Sequence, residues 1–298
     1  MSFHYVVDQS SNEDAWRAAR AGKITATDVA RIMTGGPGAW ADLKRSKRGE
    51  GRPFRGNRYT EWGHDREPFI ISWLSERYGL QPNSWLLARA DDVTHAATPD
   101  AIHEVLRLLG EVKTTVKDWP GLDSTLDSFK SNGIAGYWWQ MQWQMHVADA
   151  IETVFAYELH EDFIPVWMEP RTVIVERDDD AIAEALAAVA EWLEFDETGS
   201  DAPDGLDELL IERRLLKDAA DAAAARVAAL DAELRQLVDG AEWSGAFEGS
   251  AARLSYSGKP VTTNRFDSKA FQARYPNAAR RFTKPTVSQP RLTITARS

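Results

Sequence analysis

The sequence predicts an α/β (α+β) chain: a central mixed sheet flanked by helices, then a helical arm and a small α+β tail. Three observations carry that expectation. Helix-period apolar stretches bracket a block of short β-rich runs between residues 84 and 115, and further such runs follow near 152–176. A heptad repeat then holds over 206–237. With 43% apolar and 27% charged residues, 298 residues supply a sizeable core.

Residues 12–34 read as a helix, a break at AGKIT and a second helix, with Thr25 or Thr27 as its N-cap. The segment 35–58, rich in Gly, Pro and Arg, reads as a loop or a short basic helix. Residues 61–78 have helical spacing, with Phe69, Ile70, Trp73, Leu74 and Tyr78 as the apolar face and Gly79 as the stop. SWLLARADDVTHAATPDA reads as strand, turn and strand, and EVLRLLGEVKTT as a third strand. GIAGYWWQMQWQMHVADA (133–150) is apolar almost all round and predicts a buried helix, with Trp138, Trp139 and Trp143 in the core. Two more strands follow (ETVFAYELH and FIPVWMEPRTVIVER), then an Ala-rich helix over 181–196.

DETGSDAPDG (196–205) is the best linker, which sets expected boundaries at 1–196 for a core, 197–240 for an acidic linker and arm, and 241–298 for a basic module. In the arm, Leu206, Arg213, Ala220, Val227 and Leu234 form one heptad row; Leu209, Leu216, Ala223, Leu230 and Leu237 form the other. That pattern fits a coiled coil or a helical hairpin, packed either on its own domain or on another chain. The tail alternates ARLSYSGKPVTT and PRLTITAR around a helical DSKAFQARY.

There is no cysteine, which excludes disulfides, thiolate metal sites and cysteine nucleophiles and makes a cytosolic setting the simplest reading. No apolar run reaches bilayer length, and the N-terminus shows no apolar signal segment. The six histidines (4, 64, 95, 103, 146 and 160) lack close paired spacing, so they predict no zinc site. The net charge is −11, but residues 176–240 hold 19 acidic and 6 basic side chains, a net of −13, leaving +2 elsewhere. Seven Lys or Arg in 43–58, and ten in 251–298 against the single Asp267, are either phosphate footprints or solvated surface.

The chemistry concentrates in TPDAIHEVLRLLGEVKTT (98–115). In a strand, residues two apart share a face, so Glu111 and Lys113 stand side by side with Val112 turned inward. Asp100 falls on a neighbouring strand. Two carboxylates supply hard oxygen ligands for Mg²⁺, with Mn²⁺ as a substitute, and the lysine can orient a water for attack on phosphate. The same three residues also fit a turn aspartate beside a surface ion pair.

RAGKITATDVARIM, GHDREPFI, TPDAI…LLGEVK and GYWWQMQWQM occur in this order. Together they resemble the lambda exonuclease and YqaJ-like viral recombinase family, within the restriction-endonuclease-like, PD-(D/E)XK nuclease superfamily. The resemblance spans about residues 13–170. It implies that Asp100, Glu111 and Lys113 are the catalytic triad, that Asp100, Glu111 and Glu67 hold the metal, and that Gln140 lines the active site. It further implies that Arg20 and Thr27 grip a 5′-terminal phosphate, where the family more often has serine in place of Thr27. Thr114-Thr115 stand where the family often has Cys-Pro.

The implied activity is Mg²⁺-dependent degradation of linear double-stranded DNA from the 5′ end, leaving 3′ single strands for a single-strand annealing protein. The implied setting is the cytoplasm of a bacterial host, as a phage or prophage protein, in a homo-oligomer and with no membrane. A structure- or site-specific endonuclease using the same triad, and a non-catalytic DNA-binding or assembly protein, are the rival readings.

Overall fold

The computed structural model describes residues 2–50, 56–196, 205–258 and 266–282. The chain divides into two compact units, Met1–Ala222 and Ala223–Arg297.

The first unit opens with strand β1 (Phe3–Asp8), which the sequence reading passes over, and helix α1 (Glu13–Ala21). Asn12 caps α1 by accepting from the Ala15 amide. The AGKIT break contains a two-residue strand, β2 (Ile24–Thr25), and leads into α2 (Ala26–Thr34). Thr25 is the N-cap, as one of the two expected threonines, and the buried Asp28 carboxylate accepts from both its amide and its hydroxyl at 2.7 Å. The basic segment after it forms α3 (Pro37–Lys47), started by proline at its first turn, so the helical alternative holds there. Residues 51–55 of the same segment lie outside the described residues.

Helix α4 (Arg58–Tyr78) ends at Gly79, whose φ of 72° is the left-handed stop that glycine permits. Its buried stripe is Ile70, Ile71 and Leu74, while Phe69 is 64% exposed with the Arg66 guanidinium over its ring. Of the expected face, Ile70, Trp73, Leu74 and Tyr78 pack in the core, while Phe69 turns outward and Ile71 takes a place there. A 3.6-residue period fits either neighbouring stripe, and only docking on the sheet distinguishes them.

β3 (Gln81–Pro82), β4 (Trp85–Arg89) and β5 (His95–Ala97) come next. The strand expected from Glu104 is found as β7 (Leu108–Thr115), beginning four residues later, and it pairs in a hairpin with the short β6 (Ala101–His103) before it. Val105 and Leu106 stand exposed in its turn, and Arg107 takes φ 54°. No Gly, Pro or Asn marks this turn, and its apolar residues imitate strand. α5 (Leu126–Ser131), α6 (Ala135–Ala148), β8 (Glu152–Glu161), β9 (Ile164–Pro165), β10 (Arg171–Glu176) and α7 (Asp179–Glu194) complete the set before the arm.

The main sheet is mixed, in the order β10-β8-β7-β6-β3, with β9 paired to β8. β7 and β8 run parallel from Leu108↔Glu152 to Thr115↔Leu159, and the other pairs are antiparallel. A second sheet has the order β1-β4-β5-β2. β7 is covered on both faces. Val112 and its β8 partner Ala156 pack against Ile70, Ile71 and Leu74 of α4. Phe155, the partner of Glu111, packs in the larger core with Trp138, Trp139, Met141 and Trp143 of α6. The expectation of a buried α6 with core tryptophans is met.

Helix α8 (Leu206–Gly240) is one continuous helix, not a hairpin. Asp42 of α3 accepts from the Asp207 amide at 2.9 Å, and Arg31 of α2 pairs with Asp207 and Glu208 at its start. In the second unit, β11 (Gly245–Glu248) and β12 (Arg253–Tyr256) form a hairpin, followed by α9 (Ser268–Arg274) and α10 (Pro276–Phe282). Most of the expected linker (197–204), as well as the final expected strand near 291–296, lies outside the described residues.

Candidate active site

The candidate site is built on β7. Alternation turns Glu111 and Lys113 toward α6, and Lys113 makes a direct ion pair with Glu111 Oε1. Asp100 sits just before β6, where its amide donates to the Gly110 carbonyl at 3.1 Å. Its carboxylate Oδ2 accepts from the Val112 amide at 2.7 Å. The hairpin of β6 and β7 thus fixes the Asp–Glu–Lys set at one strand edge.

Glu111 is fully buried. Such a carboxylate needs donors on both oxygens. Gln140 of α6 donates to Oε1 at 2.7 Å and Gln144 donates to Oε2 at 2.7 Å. Gln140 therefore stands where the sequence reading expects it. Gln144 is the residue that reading missed, although its signal is present: four residues on, it shares the helix face of Gln140. Gln142 points elsewhere, binding the Glu176 carbonyl and the Asp178 amide at the β10–α7 junction. Tyr137, one turn before Gln140, lies with its ring centroid 5.3 Å from the Lys113 ammonium.

Burial, with the charge of Glu111 added to it, pushes Asp100 well above the usual carboxylate range. Glu67, projecting from α4, is also raised, chiefly by burial, with Lys113 and His64 pulling the other way. Burial alone would lower Lys113, but the carboxylates of Glu111 and Asp100 outweigh it and hold the ammonium charged.

The donor chemistry fits a divalent cation. Asp100, Glu111 and Glu67 are hard oxygen donors crowded enough to repel one another, which a cation offsets. The buried Gln144 Oε1, among the described residues, also has no hydrogen-bond donor. No group of three His, Cys, Asp or Glu among the described residues stands close enough to cage a metal by itself.

The expected phosphate residues come together at a different place, the start of α2. Arg20 donates to the Thr27 hydroxyl at 3.0 Å, with the Trp16 ring 4.4 Å from its guanidinium carbon. Burial lowers the Arg20 pKa, opposed by the charge of Asp28. Lys47 of α3 reaches the Arg20 carbonyl at 3.1 Å and Asp28 at 2.5 Å, a cation the sequence reading left unplaced. α2, which carries Thr27, packs on α6, which carries Gln140 and Gln144, where Ala30 meets Gly136.

Sequence spacing is silent about His95 and His146, yet their rings meet, with Nδ1 of one 3.1 Å from Nε2 of the other. Among the described residues, no helix is long and apolar enough to cross a membrane.

No curated protein matches the chain. Among solved structures, it is similar to a phage-related exonuclease from Haemophilus somnus 129PT at 18% identity and a TM-score of 0.47, covering 58% of this chain and 92% of that one. It is also similar to an alkaline exonuclease, LHK-Exo, from Laribacter hongkongensis at 25% identity and a TM-score of 0.47, covering 61% and 91%. The same exonuclease in complex with dAMP aligns at 26% identity and a TM-score of 0.46, again over 61% and 91%. Residues 15–151, which hold Arg20, Thr27, Glu67, Asp100, Glu111, Lys113, Gln140 and Gln144, match the model of the YqaJ-like viral recombinase domain.

Proposed function

We propose that this protein is a metal-dependent exodeoxyribonuclease that degrades linear double-stranded DNA from the 5′ end and leaves 3′ single strands. The observation that carries this reading is the meeting of Asp100, Glu111 and Lys113 at one strand edge inside the YqaJ-like domain. Mg²⁺ is the expected ion, with Mn²⁺ as a substitute. Asp100 and Glu111 would hold it, assisted by Glu67. Once bound, such an ion offsets charge on the phosphate and acidifies a coordinated water.

The chain's own residues do the rest. Gln140 and Gln144 lock the Glu111 rotamer, so that one carboxylate geometry is presented. Lys113, held charged between Glu111 and the Tyr137 ring, positions the attacking water beside the phosphate. Arg20 and Thr27 grip the 5′-terminal phosphate through a charged fork and a hydroxyl near a helix N-terminus. The nuclease core extends over 1–196, with 197–240 as an acidic arm and 241–298 as a basic module. A single-strand annealing protein is the expected partner of the product strand, and the protein works as a homo-oligomer in the cytoplasm of a bacterial host.

The test uses linear duplex DNA bearing a 5′-phosphate or a 5′-hydroxyl, beside closed circular DNA, with Mg²⁺ or EDTA. Mononucleotide release from the linear duplex alone, with the 3′-terminated strand spared and Mg²⁺ required, is the expected result. Cutting of the circle would replace this reading with an endonuclease. Binding without cleavage in any divalent metal would leave a DNA-binding protein.

A further inference from the structure

Helix α4 is weakened at the very residue it lends to the site. Glu67 is followed by Pro68, which stands inside the helix. A proline has no N–H, so the His64 carbonyl loses its helical donor, and the residue before a proline is pushed away from helical backbone. That residue is Glu67. Its carboxylate therefore sits where its own helix holds it least.

The preceding residue supplies a hold from outside the helix. Arg66 donates from Nε to Glu158 Oε1 at 2.8 Å and from Nη2 to Glu158 Oε2 at 2.7 Å, a two-bonded fork. Glu158 is buried on β8, opposite Thr114 of β7, the residue after Lys113. Gly63, one turn before Glu67, runs over the same cross-strand pair, where an added Cβ would lie 3.5 Å from Thr114 Oγ1. The Trp62 and Phe69 rings flank the Arg66 guanidinium, their centroids 5.7 and 4.8 Å from its carbon. Glu67, next along the helix, feels the charges of Lys113 and Glu111, and Asp100 feels that of Glu67.

We propose that Arg66 and Glu158 are positioning residues for Glu67: their ion pair pins the proline-interrupted turn of α4 to β8, so that the Glu67 carboxylate is presented to the divalent cation. This rests on the metal site of the proposed function. Packing alone does not call for the pair, because apolar side chains of similar volume in place of a buried ion pair are often neutral or stabilising. Lysine could not replace Arg66 in full, since a single ammonium lacks the planar fork that fixes the helix in both distance and rotation. Groups that orient a metal ligand in this way influence metal affinity without touching the ion.

The test reads metal binding directly, with Mn²⁺ as the probe. Binding to the full-length protein without DNA is followed by the electron paramagnetic resonance signal of free Mn²⁺, and thermal melting in EDTA reports folding. The variants are Asp100→Asn, Glu67→Gln, Arg66→Lys and the double variant Arg66→Met/Glu158→Met, which leaves no unpaired buried charge. The double variant is also combined with Glu67→Gln.

The double variant should melt near the wild type and bind Mn²⁺ about tenfold or more weakly, with Arg66→Lys in between. In the Glu67→Gln background the same two changes should alter Mn²⁺ affinity by less than about twofold, because the carboxylate they position is already gone. Wild-type Mn²⁺ affinity in the double variant, or an equal further loss in the Glu67→Gln background, would overturn the positioning role. Loss of binding in Asp100→Asn would leave the metal site itself standing in either case. A wild type that binds no Mn²⁺ would overturn both.

Discussion

Glu111 and Gln144 are joined by a 2.7 Å hydrogen bond from the amide Nε2 to the carboxylate Oε2, one helical turn beyond the matching bond from Gln140. A carboxylate with no solvent exposure is thereby held by two neutral donors from one helix and one ammonium from its own strand. Gln144→Met should leave Oε2 without a donor. The expected cost is about 1–3 kcal/mol in urea unfolding, with a fall in cleavage rate at saturating Mg²⁺. Wild-type values of both would remove Gln144 from the site.

Lys113→Ala should lower the cleavage rate at least about a hundredfold, because the ammonium that positions the water is gone. Duplex DNA affinity measured in Ca²⁺ should change little. Loss of affinity equal to the loss of rate would make Lys113 a binding residue.

Arg20→Ala should reduce the rate on a 5′-phosphorylated duplex by about tenfold to a hundredfold, the worth of a charged hydrogen bond to phosphate. Its rate on a 5′-hydroxyl end should stay near that of the wild type. An equal loss on both ends would show that the Arg20–Thr27 contact only braces α1 against α2.

His146 is held neutral by burial and by the neighbouring cation Arg89, which bring its pKa down to about 4 from 6.5. Between those values the unfolded chain binds a proton that the folded chain refuses. Stability from this group is therefore complete above pH 6.5, falls as the pH drops toward 4, and levels off below. The full effect is up to about 3 kcal/mol. His95, Asp91 and Arg177 also face the ring, and His95 is lowered too, so some slope should remain in His146→Gln. Urea melts at pH 7.5 and 5 for both proteins measure the difference, and equal slopes would refute the assignment.

Gly110 precedes Glu111 at a point where an added Cβ would lie 3.1 Å from the Ala101 Cβ and 3.3 Å from Leu80 Cδ1. Gly110→Val should overpack the hairpin that carries the triad and cost about 1–3 kcal/mol. Thermal melting checks it, and an unchanged midpoint would mean the sheet yields more easily than its packing implies.

Local pattern carried far along this chain. The Gly79 stop, the Thr25 cap and a buried helix within 133–150 each follow from preferences acting within a few residues, and all are found. The start of β7 was misread by four residues because Glu104–Arg107 turn without any of the residues that usually signal a turn. Phe69 was misassigned because periodicity fixes a helix face only to within one position.

By itself the sequence determined the elements of the site: the Asp–Glu–Lys spacing, the glutamine-bearing apolar helix and the heptad of the arm. The tertiary structure alone decided what meets what. It set Gln144 as well as Gln140 on Glu111, brought Lys47 to Arg20, and paired His95 with His146. The physical reason is range. Propensity and periodicity act between neighbours along the chain, whereas a buried carboxylate is satisfied by partners that only folding can supply.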